Sequence, residues 1–381
     1  MNSTICPPPP KKLFIVVNVD WFFVSHRKQI ALSALSAGYN VTIVARNTGH
    51  KQLIESFGLE FIHLPFNRSS LNILANTANM LQLFRIYRRY KPDIIHHVTL
   101  KIILYGSSLS RFLGIATVNA ISGLGYLYID DSRHKYVKKI YENILKYSLG
   151  SEKAITIVQN QDDKMMLISK NIVASKSIRI IRGSGVDPLE YNFSQDPSGE
   201  IIKVVFPARL LYDKGILEFI EVARLISAEN PNILFQVYGA IDRYNPSAVQ
   251  VEVIREWVNE RVIVWHGHSG EMSSVFSNCH IVVLPSYREG LPKSLIEAAA
   301  CGRPIITTDS PGCRDIVIDG LNGYLVPIKD TKILYEKLRV LIESTNTRKK
   351  FGINGRQRVM QYFNIDLVVS LTMETYKCLL K

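Results

Sequence analysis

Apolar residues fall in short runs of strand length, separated by polar stretches in which apolar positions recur at helical spacing. Leu13–Asn18 reads as a first strand, followed by a helix from about Ser25 to Ala37 that stops at Gly38 and a second strand over Asn40–Arg46. The rhythm continues with strands at Phe61–Pro65, Asp93–Val98, Thr117–Ile121, Ala154–Gln159 and Ile178–Arg182. Helices lie between them within Leu71–Tyr90, near Ile102–Leu113 and over Tyr136–Leu149. Such β-α-β-α alternation predicts a parallel sheet covered by helices on both faces.

Gly183–Gly199 breaks the pattern with glycines, prolines and polar residues, and reads as a junction. A second series then starts. Strands are expected at Ile202–Pro207, Ile233–Tyr238, Val262–Trp265, Ile281–Leu284 and Pro304–Thr308, with helices over Ile216–Ala228, Met272–Asn278, the stretch from Pro292 to Gly302, Thr331–Glu343 and Asp366–Leu380. The expected division is a proline-rich irregular tail over 1–12, one doubly wound domain over 13–190, a second over 191–365, and a final helix over 366–381 that packs back on the first domain. Two such α/β domains would face a central cleft, where ligands gather at the carboxyl ends of the strands.

Composition narrows the class. A 47% apolar and 21% charged chain of 381 residues is that of a globular protein, and no stretch approaches the roughly 18 apolar residues of a membrane-spanning helix. The run after the tail is short and polar-interrupted, so no signal peptide is expected. Five scattered cysteines without C-x-x-C spacing point to reduced thiols in the cytoplasm and away from a zinc site. The formal charge of +13 is uneven: residues 1–190 carry 24 Lys and Arg against 12 acids, residues 191–381 carry 22 against 21. A basic half fits a phosphorylated substrate or an anionic membrane surface. Nucleic acid is not expected, because no basic tail, finger or helix-turn-helix signature is present.

Candidate chemistry concentrates at strand ends. Between the strand at Ile281–Leu284 and the proline-started helix lie Glu289 and Gly290, with Glu297 eight residues beyond Glu289 inside the helix. A helix N-terminus at a strand's carboxyl end favours an anion, and two carboxylates there would face hydroxyl groups, which together describe a nucleotide sugar. Arg209 and Lys214 follow the first strand of the second domain, where a guanidinium fork and an ammonium can clamp a diphosphate. In the first domain Asn18 and Asp20 occupy the position of a dinucleotide fold's glycine turn, His26 and Arg27 begin the next helix, and Gly123 and Gly125 form a loop after a strand. His96 and His97 alternate faces, so at most one can point into the cleft. There is no G-x-G-x-x-G, so a nicotinamide or flavin cofactor is not expected. No D-x-D occurs either, and metal independence is expected. The segment holding Lys135, Lys138, Lys139 and Lys146 among Tyr136, Ile140, Tyr141, Ile144 and Leu145 suits either a membrane-surface helix or ordinary packing on the sheet.

The pattern resembles the retaining glycosyltransferases of the bacterial GT4 family, with the two-domain GT-B fold, over nearly the whole chain beyond the tail. The resemblance is carried by the E-x7-E stretch at Glu289 and Glu297 with Arg209 and Lys214. Phe66–Asn72, Ser122–Gly125 with Tyr128–Asp130, and Ser310–Asp315 are similar to the α-1,3-N-acetylgalactosaminyltransferases of polyprenyl-diphosphate-linked oligosaccharide assembly. It implies a UDP-sugar donor, a polyprenyl-diphosphate-sugar acceptor and a place at the inner face of the bacterial cytoplasmic membrane. It also implies that Arg209 and Lys214 hold the donor diphosphate, Glu289 the donor sugar and Glu297 the ribose, with backbone amides around Gly290, Leu291 and Lys293 completing the site. The family's glycine-rich acceptor loop is replaced here by Asn18–Phe22, which leaves Asn18, Asp20, His26, Arg27, His97, Gly123 and Gly125 as acceptor-side candidates. A GT-B sugar nucleotide 2-epimerase and a noncatalytic basic binding module remain the alternatives.

Overall fold

The computed structural model describes residues 9–66, 73–124, 135–242 and 245–380. They form two compact units, Met1–Val158 with Asp163–Ile181 and Val369–Lys381, and Gln159–Asp162 with Arg182–Val368.

In the first unit, β1 (Lys12–Val19), β2 (Asn40–Arg46), β3 (Glu60–His63), β4 (Ile94–Val98), β5 (Ala116–Ala120), β6 (Ala154–Val158) and β7 (Ile178–Ile180) form one parallel sheet in the order β3-β2-β1-β4-β5-β6-β7. Its described helices are α1 (Asp20–His26), α2 (Lys28–Ser36), α3 (Lys51–Ser56), α4 (Ile73–Tyr90), α5 (Leu100–Leu113), α6 (Lys135–Leu149) and α7 (Gln161–Ser169). Leu13 to Val17 are buried without alternation, as a strand covered on both faces requires.

In the second unit, β8 (Ile202–Phe206), β9 (Ile233–Tyr238), β10 (Val264–Gly267), β11 (Ile281–Leu284), β12 (Ile305–Thr308) and β13 (Gly323–Val326) run parallel in the order β10-β9-β8-β11-β12-β13. Around them lie α8 (Ile216–Glu229), α9 (Val251–Asn259), α10 (Met272–Ser277), α11 (Lys293–Ala300), α12 (Thr331–Glu343) and α13 (Thr345–Tyr362). A last helix, α14 (Ile365–Leu379), contributes its residues from Val369 onward to the first unit. There Tyr376 bonds the buried His96 at 2.5 Å.

In both sheets the strand order reverses beside the first strand: β1 lies between β2 and β4, and β8 between β9 and β11. Such a reversal leaves a crevice at the strands' carboxyl ends because neighbouring crossovers leave in opposite directions. The structure departs from the sequence reading in several places. The helix expected from Ser25 to Ala37 starts earlier, at Asp20, and is split into α1 and α2 where Arg27 at φ −132° interrupts the turn. Pro292 caps α11 from outside and Lys293 is its first residue. α3, α7, α9 and β13 are elements beyond those expected, as is the 18-residue α13, which is polar along most of its length and buries Arg348, Phe351, Gly352, Gly355 and Val359.

Candidate active site

The second unit's reversal point brings the two charged motifs together. β8 pairs with β11 through Ile281–Val204 and Val282–Val205, so the loops leaving both strands emerge side by side. They are stitched by the backbone: Tyr287 N donates to Asp213 O at 2.9 Å and Ser286 Oγ to the same carbonyl at 3.2 Å. Gly215, at φ +74°, makes the close approach possible, since a Cβ there would sit 2.7 Å from the carbonyl carbon of Pro285 and closer still to its oxygen.

Across this seam Lys214 Nζ donates to Glu289 Oε1 at 2.6 Å, with both side chains mostly buried. Arg209 pairs with Asp242, which lies beyond β9 and which the motifs did not single out. Lys293 reaches one turn along α11 to Glu297, and its ammonium lies 5.7 Å over the ring of Tyr191, whose phenol faces the same carboxylate. Burial, then the charge and hydrogen bond of Glu297, push the Tyr191 phenol well above its ordinary range. Neither glutamate is therefore an isolated carboxylate. Each has a lysine beside it, because a mostly buried carboxylate is costly without a counter-charge.

The loop's backbone is held from below. Thr308 and Ser310 hydroxyls donate to Ser286 O, the latter at 3.0 Å. Glu289 N donates to Pro311 O at 3.0 Å, and Asn160 Nδ2 to Gly290 O at 2.7 Å. Gly312, at φ +80°, lies against the carbonyl oxygens of Glu289 and Gly290. Leu291 is buried. No side chain caps α11 among the described residues; Leu295 N and Ile296 N already donate to Pro292 O, which leaves the amides ahead of them, beginning with Lys293, to meet an anion, while Pro292 has none to give. Beside this loop, burial and the Glu289 charge push the Cys313 thiol up to about 11. Arg209, Lys214, Glu289, Gly290, Leu291, Lys293 and Glu297 thus form one constellation at the β8 and β11 ends. Asp242, Asn160 and Tyr191 belong to it only through tertiary contact, being 33, 130 and 106 residues from Arg209, Gly290 and Glu297.

The acceptor-side candidates of the first unit are more dispersed. Asn18, the penultimate residue of β1, is buried, with its Oδ1 unpartnered among the described residues. Asp20 is fully buried and binds its own scaffold, accepting from the amides of Trp21 at 2.8 Å, Thr48 at 2.6 Å and His50 at 2.9 Å, and from the Thr48 hydroxyl. Burial raises its pKa, but these hydrogen bonds outweigh that and leave it below the usual carboxylate value. His26 stacks on Phe22 with ring centroids 4.2 Å apart. Arg27 is buried, which lowers its pKa to about 10. Both histidines of β4 lie inside, because helices cover both faces of the sheet. His97 takes Tyr87 Oη at 2.7 Å on Nε2, and Asn119 and Ser107 at 3.1 and 3.2 Å on Nδ1. Burial lowers its pKa to about 4, so the ring is neutral at pH 7. Gly123 follows β5 at φ +142°. Gly125, Tyr128–Asp130 and Asn67–Asn72 lie outside the described residues.

Two parallel-sheet units, with a cation and carboxylate constellation at the reversal point of the second, define a class that the sequence comparisons identify. The family described as Glycosyl transferases group 1 matches residues 189–358, and the family described as Glycosyl transferase 4-like matches residues 12–160. The chain belongs to these GT4-type glycosyltransferases, with the GT-B fold. Among relatives, it is 26% identical over 340 residues to the N,N'-diacetylbacillosaminyl-diphospho-undecaprenol alpha-1,3-N-acetylgalactosaminyltransferase of Campylobacter jejuni, covering 84% of this chain and 87% of that one. It is 23% identical to the capsular polysaccharide biosynthesis glycosyltransferase CapM of Staphylococcus aureus, covering 97% and 98%. The fold matches sucrose-phosphate synthase from Thermosynechococcus elongatus with a TM-score of 0.81 at 18% identity, covering 97% and 99%. It also matches Anabaena HepE, solved with UDP and glucose, with a TM-score of 0.75 at 15% identity, covering 96% and 99%.

Proposed function

We propose that this glycosyltransferase moves an N-acetylhexosamine, N-acetylgalactosamine first, from a UDP-sugar to a polyprenyl-diphosphate-linked sugar in the assembly of a surface polysaccharide or glycan, with retention at the anomeric carbon and without a metal. The observation that carries it is the Lys214–Glu289 pair, set with Arg209 where β8 and β11 end. The likeness to the Campylobacter enzyme supports the sugar and the acceptor class.

In this reading the second unit holds the donor. Arg209 and Lys214 take the diphosphate, the amides around Gly290, Leu291 and Lys293 add to the sugar and phosphate site, Glu289 meets the sugar hydroxyls and Glu297 the ribose. The bond from the anomeric carbon to the diphosphate oxygen breaks, the acceptor hydroxyl oxygen bonds that carbon on the same face, and the hydroxyl proton leaves on the departing diphosphate. Arg209 and Lys214 act by stabilising the charge that develops on the leaving group, the kind of contribution that costs about 2.7 to 4 kcal/mol when one donor is removed. The first unit carries the acceptor, and the enzyme works at the inner face of the cytoplasmic membrane as a peripheral protein. No described helix is long and apolar enough to cross a membrane.

Arg209→Ala is the cleaner test, since its partner Asp242 is partly exposed and loses little when left alone. Turnover should fall by about two to three orders of magnitude with the unfolding midpoint nearly unchanged. Near-normal turnover in both Arg209→Ala and Lys214→Ala refutes the assignment. So does donor alone yielding an epimerised nucleotide sugar.

A further inference from the structure

Before β8 the chain runs without helix or strand along the second unit. Backbone groups in such a segment have no ladder to bond to and need other partners. Over 188–196 arginines supply them. Arg356 of α13 donates through Nη1 to Tyr191 O at 2.6 Å and through Nη2 to Pro188 O at 3.2 Å. Arg303, which follows α11, donates to Gln195 O at 3.0 Å and to the Ser194 hydroxyl at 2.9 Å. Arg348 of α13 closes on Asp196, Nη2 to Oδ2 at 2.8 Å. The segment is irregular in shape and fixed in place.

The clamp ties one side chain of this segment to the donor site. Arg356 Nη1 also donates to Ala300 O at 3.0 Å, so a single guanidinium fixes the Tyr191 backbone to α11, the helix that carries Lys293 and Glu297. Tyr191 is 6% exposed, Glu297 5%, and the Lys293 ammonium lies over the Tyr191 ring while bonding Glu297 Oε1. Burial and the Glu297 charge keep the Tyr191 phenol protonated, so towards that carboxylate it can only donate. Lysine reaches Glu297 on a flexible four-carbon stem and by itself leaves the carboxylate loosely oriented. A phenol on a clamped segment is a fixed donor. A carboxylate has about four lone-pair sites, so these two donors leave sites for ligand hydroxyls. Tyr191 also packs in the second unit's apolar core, a role that the ring fills without the hydroxyl.

We propose that Tyr191 is a positioning residue for Glu297: held by Arg356, its hydroxyl orients the carboxylate towards the ribose and so sets the preference of the site for a nucleotide that carries the ribose hydroxyls over one that lacks them. This rests on the reading of Glu297 as the ribose contact. The role belongs to the hydroxyl alone, which separates it from the packing of the ring.

The test is calorimetric binding of UDP and of 2′,3′-dideoxyuridine diphosphate to the full chain, read as the ratio of the two dissociation constants. Both ligands meet the same preparation, so any loss of folded protein cancels in the ratio. The wild type should prefer UDP by about tenfold to a hundredfold, the range for hydrogen bonds to a charged group, and Glu297→Gln should remove most of that preference. Tyr191→Phe should cut the ratio by about two- to tenfold, and in a Glu297→Gln background it should change the ratio no further, because the two act as one unit. Arg356→Lys keeps the charge but not the fork, and should lower the ratio in the same direction. A Tyr191→Phe variant with the wild-type ratio overturns the proposal, as does one that weakens both ligands equally or lowers the ratio additively with Glu297→Gln. An unchanged ratio in Arg356→Lys overturns the role given to the clamp. If Glu297→Gln collapses the ratio while Tyr191→Phe keeps it, the ribose reading stands and this role alone falls. A wild type that ignores UDP, or binds both ligands alike, refutes the donor reading and this role with it.

Discussion

Gly312→Ala tests whether the loop after β12 holds the 289–290 backbone in place. Gly312 has φ +80°, and a Cβ there would lie 2.6 Å from the carbonyl oxygen of Glu289, 2.7 Å from that of Gly290 and 2.8 Å from the carbonyl carbon of Glu289. All three are backbone atoms, so no side chain can rotate aside. The left-handed conformation costs a non-glycine residue about 1 to 2 kcal/mol, and forcing a methyl into a packed position costs about 1 to 3 kcal/mol more, together about 2 to 5 kcal/mol. Relief requires the 289–290 backbone or the loop that carries Gly312 to shift, which disturbs the placement of Glu289 beside Lys214. A shift of about 1 Å at a positioned group costs about a hundredfold in rate. Gly320 supplies the control: its φ is +70° but a methyl there would meet nothing within 4 Å, so Gly320→Ala should cost only the backbone part. Urea unfolding followed by circular dichroism and initial transfer rates measure both effects. If Gly312→Ala unfolds with the Gly320→Ala midpoint and keeps wild-type turnover, the loop after β12 does not position Glu289.

Other outcomes follow from individual pairs and buried groups. Asp242 occupies the guanidinium that the diphosphate would take, so Asp242→Asn should tighten UDP binding in calorimetry by about 0.2 to 1 kcal/mol, the range of a partly exposed ion pair; weaker binding would instead make Asp242 a support for Arg209. His97 is depressed by burial from 6.5 to about 4 in the folded state. The unfolded chain therefore binds more protons between those values, and stability should be level above pH 6.5 and fall on acidification towards pH 4. The His97 contribution to that slope is at most about 1.4 kcal/mol per pH unit, and His97→Asn should flatten it. Cys279, Cys301 and Cys313 are buried, with thiols pushed up to about 12, 11 and 11 chiefly by burial, while Cys378 is exposed. Mass spectrometry after brief iodoacetamide treatment should find Cys378 alkylated and those three intact until urea unfolds the chain.

Local features can be read along the chain. Buried parallel strands advertise themselves as unbroken apolar runs, so Leu13–Val17 and Ile281–Leu284 were legible, as were the helices that proline and glycine punctuate. The sequence also marked Arg209, Lys214, Glu289 and Glu297, because charged residues at strand ends and helix starts stand out against apolar surroundings. Short elements escaped, α3, α7, α9 and β13 among them, and so did one long helix whose packing is not mainly apolar. α13 lies close to its neighbours through glycines and buries Arg348 on Asp196, Nη2 to Oδ2 at 2.8 Å, and neither feature has an apolar period. Side-chain partners follow from how the chain packs. That Lys214 meets Glu289 depends on β8 lying beside β11 and not in sequence order, and that Arg209 meets Asp242 depends on where the chain goes after β9. His97 shows the same limit: alternation set which way it points, while the helices packed on both faces of the sheet decided that the direction leads into the core. Strand order and layer packing are set by long-range burial, which no short window of residues contains, and the site at the end of β8 and β11 exists only once that order is fixed.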